Sequence, residues 1–466
     1  MKDLKAVKKG QEFLKIALIN LALLLVFVEL GSLGWYFVKH KQFFYTRQKV
    51  QNKSDLGINL EGVRLNQSIV ERFHPFLGFI QQPGPDFRPG FKMNNYGFIS
   101  PYDYPLKKTN KNQFIVGVFG GSVASNYAIF EIQNQILPQY LKQLPGLKDK
   151  EFVILSFATG GYKQPQQLLT LNYFLALGQE LDLVVNIDGF NEVALSNLNN
   201  KNKIDLAMPS IQHILPLTSL ANNSLSTKAM KATIRIRENK ARISQGLESL
   251  QHCYLAACDA LTSVYVQNLV NNYKTDIIKF EKERNKQQKN DSGSVIYINP
   301  STSVLQDSLA FEEMAWNWAK SSIFMHKVLS ASKVPYFHIL QPNQYYQTKR
   351  VFGEAEKQIA FNKESPYAKA VQIGYPALFK KIPNLKKNNI NILNAVNVFD
   401  NTKEAVYVDS CCHYNQAGEV IFSEYVGRSL LEALRKDERK KKKYGRVPLT
   451  INDSNKQFQK PAPAPR

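Results

Sequence analysis

Four short segments of the sequence carry side chains and backbone groups suited to chemistry. Ser122 follows two glycines, which permit a tight strand-to-helix turn, and the helix N-terminus behind it favours developing negative charge. Gly161, in a glycine pair, has a backbone N–H able to donate to an oxyanion, and Asn191 has a side-chain amide that can do the same. Asp409 and His413 suit a general base oriented by a carboxylate. Taken singly, each segment has a plainer interpretation, such as a helix N-cap for Ser122, a loop glycine pair for the second segment, or a surface or core histidine for His413.

These segments follow short apolar runs that predict buried strands. The runs are separated by helix-like stretches, which is the pattern of a parallel sheet covered on both faces. Ligand and catalytic groups of such sheets collect beyond the carboxyl ends of the strands, where all four segments lie or would be presented. The predicted strands cover residues 114–120, 151–157, 181–187, 335–340 and 390–393.

The alternation of strands and helices is interrupted once. Residues 196–227 look loop-like, and residues 228–288 and 305–332 predict long helices. We therefore expect one α/β domain over residues 114–434 with five parallel strands, a final helix over 415–434 and a helical insertion at about 196–332. An irregular lead-in, rich in Pro, Gly and aromatic residues, is predicted over 39–113.

The conjunction of the four segments resembles the SGNH (GDSL-like) hydrolase family. The matching stretches are GGSVA at 120–124, TGGY at 159–162, DGFNE at 188–192 and VDSCCHYNQAG at 408–418. HPFLGF at 74–79 and NNYGF at 94–98 are similar to the lead-in of membrane-anchored bacterial members. The resemblance implies a flavodoxin-like three-layer α/β/α fold with no metal or organic cofactor. It assigns Ser122 as nucleophile and His413 as base, with an oxyanion hole formed by the Ser122 and Gly161 N–H groups and the Asn191 amide.

The sequence departs from that family at three positions. Gly121 and Glu192 stand where the family usually has Asp, and both neighbours of the site are mainly structural. The family's last Asp usually lies three residues before the His, whereas Asp409 lies four residues before His413. We expect Asp409 to reach the histidine through a one-residue bulge; Asp400 or a Ser–His dyad without a carboxylate are the alternatives.

Most of the positive charge belongs to the ends of the chain. The formal net charge is +22. Residues 1–60 hold ten basic and four acidic residues, a net of +6, and residues 435–466 hold eleven and three, a net of +8. The remaining +8 is spread over the body, which carries no recognisable nucleic-acid module, so no nucleic-acid partner is expected. Residues 435–466 predict a basic disordered tail.

An apolar run at residues 16–38 follows a basic segment at 1–15. As a helix it would extend about 34 Å, enough to cross a bilayer core of about 30 Å. The run is longer than the apolar region of a signal peptide and ends in aromatic residues, so an uncleaved transmembrane anchor is predicted over a cleaved signal peptide. Glu29 within the run would need to snorkel or find a partner. The short N-terminal segment favours export of the catalytic domain to the periplasmic side.

The four cysteines, Cys253, Cys258, Cys411 and Cys412, are too few for a disulfide scaffold and lack the spacing of a zinc site. One cross-link between the insertion and the His413 loop is a hypothesis for an exported domain. The leading prediction is a membrane-anchored serine ester hydrolase whose partners are an acyl ester substrate and the membrane. The alternatives are an O-acyltransferase acting on an envelope or exported polysaccharide and an inactive basic surface-binding protein.

Overall fold

The computed structural model describes residues 2–46, 71–88, 90–218, 227–287 and 303–444. Three separate sheets are formed by the ten strands in these ranges. The strands are β1 (Glu71–His74), β2 (Gly78–Gln81), β3 (Gly84–Arg88), β4 (Phe91–Met93), β5 (Ile99–Ser100), β6 (Gln113–Gly120), β7 (Glu151–Ala158), β8 (Leu183–Asp188), β9 (Tyr336–Leu340) and β10 (Asn391–Asn394).

The helices that follow and flank the strands occupy most of the remaining described residues. They are α1 (Lys2–His40), α2 (Ser122–Asn134), α3 (Ile136–Leu141), α4 (Gln166–Ala176), α5 (Phe190–Lys201), α6 (Ile211–Thr218), α7 (Thr227–Gln251), α8 (Ala256–Gln287), α9 (Asp307–Ala331), α10 (Glu354–Ala360), α11 (Ala368–Phe379), α12 (Ile382–Lys387) and α13 (Gln416–Tyr444).

The central sheet has five parallel strands in the order β10-β9-β8-β6-β7. In chain order this is the 2-1-3-4-5 arrangement of the flavodoxin-like fold, with the switch point at β6 and β8. Every residue of β8 and β9 is buried, which explains why these strands read as continuous apolar runs and not as alternating ones. The predicted α/β fold with a five-stranded parallel sheet is confirmed.

Two groups of helices cover the sheet. Helices α2, α3 and α13 contact one another on one side, whereas α4, α5, α9 and α11 contact one another as the second group. The apolar side chains of both groups and of the sheet form one continuous core. Because all five strands are parallel, their carboxyl ends lie at one edge of the sheet.

The helical insertion lies between β8 and β9. Its two long helices, α7 and α8, pack against each other as an antiparallel hairpin, and α9 returns the chain to the sheet. Residues 196–227, expected to be loop-like, instead contain the end of α5 and all of α6. The many Asn and Ser residues of this segment are typical of loops, but several of their side chains are buried and hydrogen-bonded here. Asn199 and Asn200, for example, donate to the backbone carbonyls of Met208 and Leu305.

The lead-in is more regular than its composition indicates. Strands β1 and β2 form an antiparallel pair, and β3, β4 and β5 form a second small sheet. The strands are short and β3 pairs with register shifts, so the two-residue period is too brief to recognise in the sequence. Part of the predicted lead-in, residues 47–70, lies outside the described residues.

Two expectations about the chain beyond the sheet are corrected. Helix α13 continues to Tyr444, so residues 435–444 are helical and not part of a disordered tail; their Lys, Arg and Glu residues are good helix formers. Residues 445–466 lie outside the described part of the chain. Cys253 is bonded to Cys258 within the insertion, which excludes the hypothesised cross-link to the His413 loop in this structure.

The N-terminal helix α1 contains a stretch, Lys15–Lys39, that is long and apolar enough to span a membrane. From Lys15 to Val28 every residue is exposed. Length and apolar character are shared by membrane anchors and signal sequences.

Candidate active site

Ser122 is the first residue of α2 and sits at the carboxyl end of β6. Two glycines before it allow this turn. Gly120 has φ +141°, and a Cβ there would lie 2.1 Å from the carbonyl oxygen of Ile187 in the neighbouring strand β8. The first helical hydrogen bond of α2 runs from the Ser125 N–H to the Gly121 carbonyl, so the N–H groups of the preceding turn face away from helical acceptors. The Ser122 N–H belongs to this first turn, where N–H groups have no acceptor within the helix.

Ser122 and His413 are brought into hydrogen-bond contact although 291 positions separate them. The Ser122 Oγ lies 2.7 Å from the His413 Nε2. The other ring nitrogen, Nδ1, lies 2.5 Å from the Asp409 Oδ2. His413 is buried and Asp409 is partly buried. Asp409, and not the alternative Asp400, is thus the carboxylate at the histidine.

The one-residue offset between Asp409 and His413 is absorbed by a turn that the carboxylate itself organises. Its Oδ1 accepts hydrogen bonds from the N–H groups of Cys411 at 2.9 Å, Cys412 at 3.0 Å and His413 at 3.3 Å. The second oxygen then points to the imidazole. One carboxylate therefore closes the loop and orients the ring at the same time.

Residues 343–345, after β9, form hydrogen bonds to the loop of residues 409–413. Three consecutive side chains bind three consecutive carbonyls: Asn343 Nδ2 donates to Cys411, Gln344 Nε2 to Asp409, and the Tyr345 hydroxyl to Ser410, at 2.8–3.0 Å. This contact could not be predicted from the sequence, because the two segments are 65 positions apart and the residues belong to no motif.

Of the two remaining predicted oxyanion residues, Asn191 lies beside Gly121, the residue before Ser122. Asn191 Nδ2 donates to the carbonyl of Tyr162 at 2.8 Å, and a Cβ on Gly121 would lie 2.2 Å from that same nitrogen. A side-chain amide has two N–H groups, so the bond to Tyr162 orients the second. Gly161 has φ +84°, a left-handed conformation that turns the chain between β7 and α4. The oxyanion roles of Gly161 and Asn191 stay predictions.

Both family departures beside the site have structural explanations. A Cβ on Gly121 would lie 2.2 Å from the Asn191 Nδ2, so an aspartate at position 121 would displace the Asn191 amide from its present position. Glu192 accepts the Gly189 N–H at 2.7 Å with one oxygen and the Gln164 N–H at 3.0 Å with the other. It therefore joins the loop after β7 to the loop after β8, which carry the two predicted oxyanion residues Gly161 and Asn191.

A buried lysine stands behind these loops. The Lys163 ammonium donates to the Leu206 carbonyl. Burial lowers its pKa to about 7, against the opposing charges of Glu192 and Asp205. Further below, Asp188 at the end of β8 accepts from Trp318 Nε1 at 2.6 Å. Asp188 also lies 2.7 Å from the His338 Nε2, so this carboxylate joins β8, β9 and α9 beneath the sheet edge.

A second histidine–carboxylate pair, missed in the sequence, lies against Gly161. His213 of α6 has its Nδ1 2.7 Å from the Glu71 Oε1, and its ring stacks on Phe79 at a centroid distance of 4.5 Å. Its Nε2 is so close to Gly161 that a Cβ there would lie 2.1 Å away. Burial raises the pKa of Glu71, but the facing His213 outweighs it and the net pKa is lowered. The pair could not be predicted from the sequence, because its two residues are 142 positions apart.

Among the described residues, no group of three or more His, Cys, Asp or Glu side chains is arranged to hold a metal ion. The Cys411 and Cys412 sulfurs lie 3.6 Å apart, and the Cys412 sulfur lies 3.8 Å from His413 Nε2.

Comparisons with known proteins add little to this geometry. No protein-family model and no curated protein matches the chain. Among solved structures, the crystal structure of a GDSL-like lipase from Bacteroides thetaiotaomicron is similar over 70% of this chain and 93% of its own, with 11% sequence identity and a TM-score of 0.31. A likeness of this size says nothing about the chemistry of the site.

Proposed function

We propose that this protein is a membrane-anchored serine ester hydrolase of SGNH type. The observation that carries the proposal is the continuous hydrogen-bonded path from the Ser122 Oγ to His413 Nε2, and from His413 Nδ1 to the Asp409 carboxylate. A serine, an imidazole and a carboxylate linked in this order form the arrangement that activates a hydroxyl as a nucleophile.

The reaction follows from the positions of these groups. His413 Nε2 takes the Ser122 proton while Oγ bonds to the ester carbonyl carbon, and the Asp409 carboxylate stabilises the imidazolium. The N–H groups of Ser122 and Gly161 and the Asn191 amide bind the oxyanion. The imidazolium returns the proton to the alkoxide as the ester bond breaks and the alcohol leaves. His413 then deprotonates water as the water oxygen bonds to the acyl carbon, and the imidazolium returns that proton to the Ser122 Oγ as the acyl–serine bond breaks and the acid leaves.

The test is hydrolysis of p-nitrophenyl acetate together with labelling by a serine-directed phosphonate. Turnover and labelling by the wild type, with both lost in Ser122→Ala, are expected. Ser125→Ala is the matched control, because Ser125 lies in the first turn of the same helix and takes no part in the path. No activity and no labelling of folded wild-type protein would contradict the proposal. A turnover that requires a sugar acceptor would assign acyl transfer, not hydrolysis, to the same residues.

The anchorage part of the proposal rests on α1. Its apolar stretch is long enough to cross a bilayer, and the side chain of Glu29, one charged residue within that stretch, has partners in the rest of the chain. We place the catalytic domain on the periplasmic side, with acyl esters, including acylated carbohydrate, as its substrate class. Membrane fractionation and the intact mass of the mature chain test this part separately from the chemistry.

A further inference from the structure

Glu29 is the charged residue within the apolar run at 16–38, and it caps a helix of the insertion. Its two carboxylate oxygens accept the N–H groups of Ala256 at 2.8 Å and Ala257 at 2.9 Å, which begin α8. The Tyr45 hydroxyl donates to the same carboxylate at 2.9 Å. A carboxylate is stabilised at a helix N-terminus by the N–H groups and by the helix dipole. The charge that would be costly in a lone membrane span is therefore used to hold the insertion against α1.

The contact follows one side of α1. Glu29, Ser32, Leu33 and Tyr36 are the residues of this stretch that are buried or partly buried, and their spacing places them on one helix face. Leu33 and Tyr36 pack with Ala256 and Phe44 in a small apolar cluster. Glu29 lies nine residues before Val38, about 14 Å along the axis. The tip of the α7–α8 hairpin, residues 252–265, is thus beside the last part of the apolar run and not beyond its end.

The outer surface of this hairpin tip is apolar. The exposed side chains include Leu255, Leu261, Val264 and Tyr265, and Leu261 is 72% exposed. Residues 249–273 contain a single Asp, Glu, Lys or Arg side chain, Asp259, and it is buried. They also contain one histidine, His252. Basic residues resume on both sides, at Arg242 and Lys274. A soluble hairpin of this length ordinarily carries charge on its exposed faces.

We propose that the tip of the α7–α8 hairpin is a second membrane contact, seated in the bilayer beside the last part of the α1 apolar run and held there by Glu29. Because the tip is in direct contact with α1 at the level of Glu29, the lipid that surrounds the apolar surface of α1 there also surrounds the tip. Tyr and Trp side chains favour the bilayer interface, and Trp35 and Tyr265 lie towards the end of the α1 run and nine residues into α8 from Ala256. The inference rests on the anchorage part of the proposed function. A second contact would fix the orientation of the catalytic domain, which a single span leaves to rotate.

The test uses the full chain in phosphatidylcholine vesicles with the photoreactive residue p-benzoylphenylalanine in place of Leu261 or Val264. Val351 is the matched control, since it is an apolar side chain 81% exposed on the catalytic domain. We expect lipid adducts, identified by mass, at positions 261 and 264 and none at 351. Absence of lipid adducts at 261 and 264, or adducts with a second copy of the chain, would overturn the proposal.

Two further variants test the role of Glu29. Glu29→Ala removes the cap from α8 and should reduce lipid adducts at position 261 about tenfold. Tyr45→Phe keeps both bonds to the α8 N–H groups and should change the yield little. An unchanged yield of lipid adducts in Glu29→Ala would contradict the role of Glu29 in holding the hairpin tip at the membrane. Phosphonate labelling of Ser122 in the same vesicles reports on the hydrolase site alone. If the intact mass shows that the mature chain lacks α1, both the anchorage and this inference are overturned.

Discussion

The Asp409 carboxylate reaches His413 across four residues because its other oxygen gathers the N–H groups of the turn between them. A carboxylate in this position has two tasks, and they respond differently to substitution. Asparagine keeps an oxygen for the turn but presents an N–H group to the imidazole, which favours the wrong tautomer.

We therefore expect Asp409→Asn to lower kcat for p-nitrophenyl acetate by roughly 10⁴-fold with the protein still folded. Circular dichroism and phosphonate labelling rates accompany the kinetic measurement. Asp400→Asn, at the other candidate aspartate, serves as the control and should stay within about twofold of wild type. A loss below tenfold in Asp409→Asn would favour a Ser–His dyad.

The parallel sheet was predictable because its strands are apolar on both faces and end at turn residues, as 114–120 does at Gly120. The segments that carry Ser122 and Asn191 were recognisable because they follow strand ends, and the segment that carries His413 because it precedes the final helix. Their catalytic roles stay predictions. The contacts that position them were not predictable: His213 with Glu71 and Asn343 with Cys411 join distant segments through single side chains, which leave no local pattern.

The Tyr345 hydroxyl is expected to act as a positioning group for the catalytic loop. Tyr345→Phe removes its bond to the Ser410 carbonyl and should lower kcat about tenfold with little change in KM, because the loop and its histidine lose a fixed position. Tyr346→Phe is the matched control, since the neighbouring ring packs on Tyr375 and Phe379. Equal effects of the two substitutions on kcat, or a change confined to thermal stability, would argue against positioning.

Gly161 is expected to tolerate no side chain. In Gly161→Ala the new Cβ meets the His213 ring, and φ +84° is unfavourable for alanine, so the backbone donor should shift. We expect a loss of roughly 10²–10³-fold in kcat, the size seen when one oxyanion donor is removed. Adding His213→Ala relieves the steric part and should restore some activity in the double variant. If the double variant is no better than Gly161→Ala, backbone strain and not the histidine determines the loss.

The carboxyl of Glu131 links protein stability to pH. It is buried on α2, where its Oε2 accepts the Leu137 N–H at 2.8 Å, and burial raises its pKa to about 7. The folded protein therefore keeps this proton between pH 4.5 and 7 while the unfolded chain releases it. This contribution to the free energy of unfolding is complete below pH 4.5 and declines by about 3 kcal/mol as the pH rises through 7.

Glu131→Gln removes that titration, so the unfolding midpoint in denaturant should depend less on pH between 4.5 and 7 than in the wild type. Glu419, on α13, has its pKa raised well above the usual value by burial and by the charge of Glu131, and it acts in the same direction. Glu419→Gln alone should therefore also flatten the profile, and the double variant should flatten it most. Glu424→Gln, at an exposed position of the same helix, is the control and should leave the slope unchanged. An unaltered slope in the double variant would show that these two carboxyls do not set the pH dependence of stability.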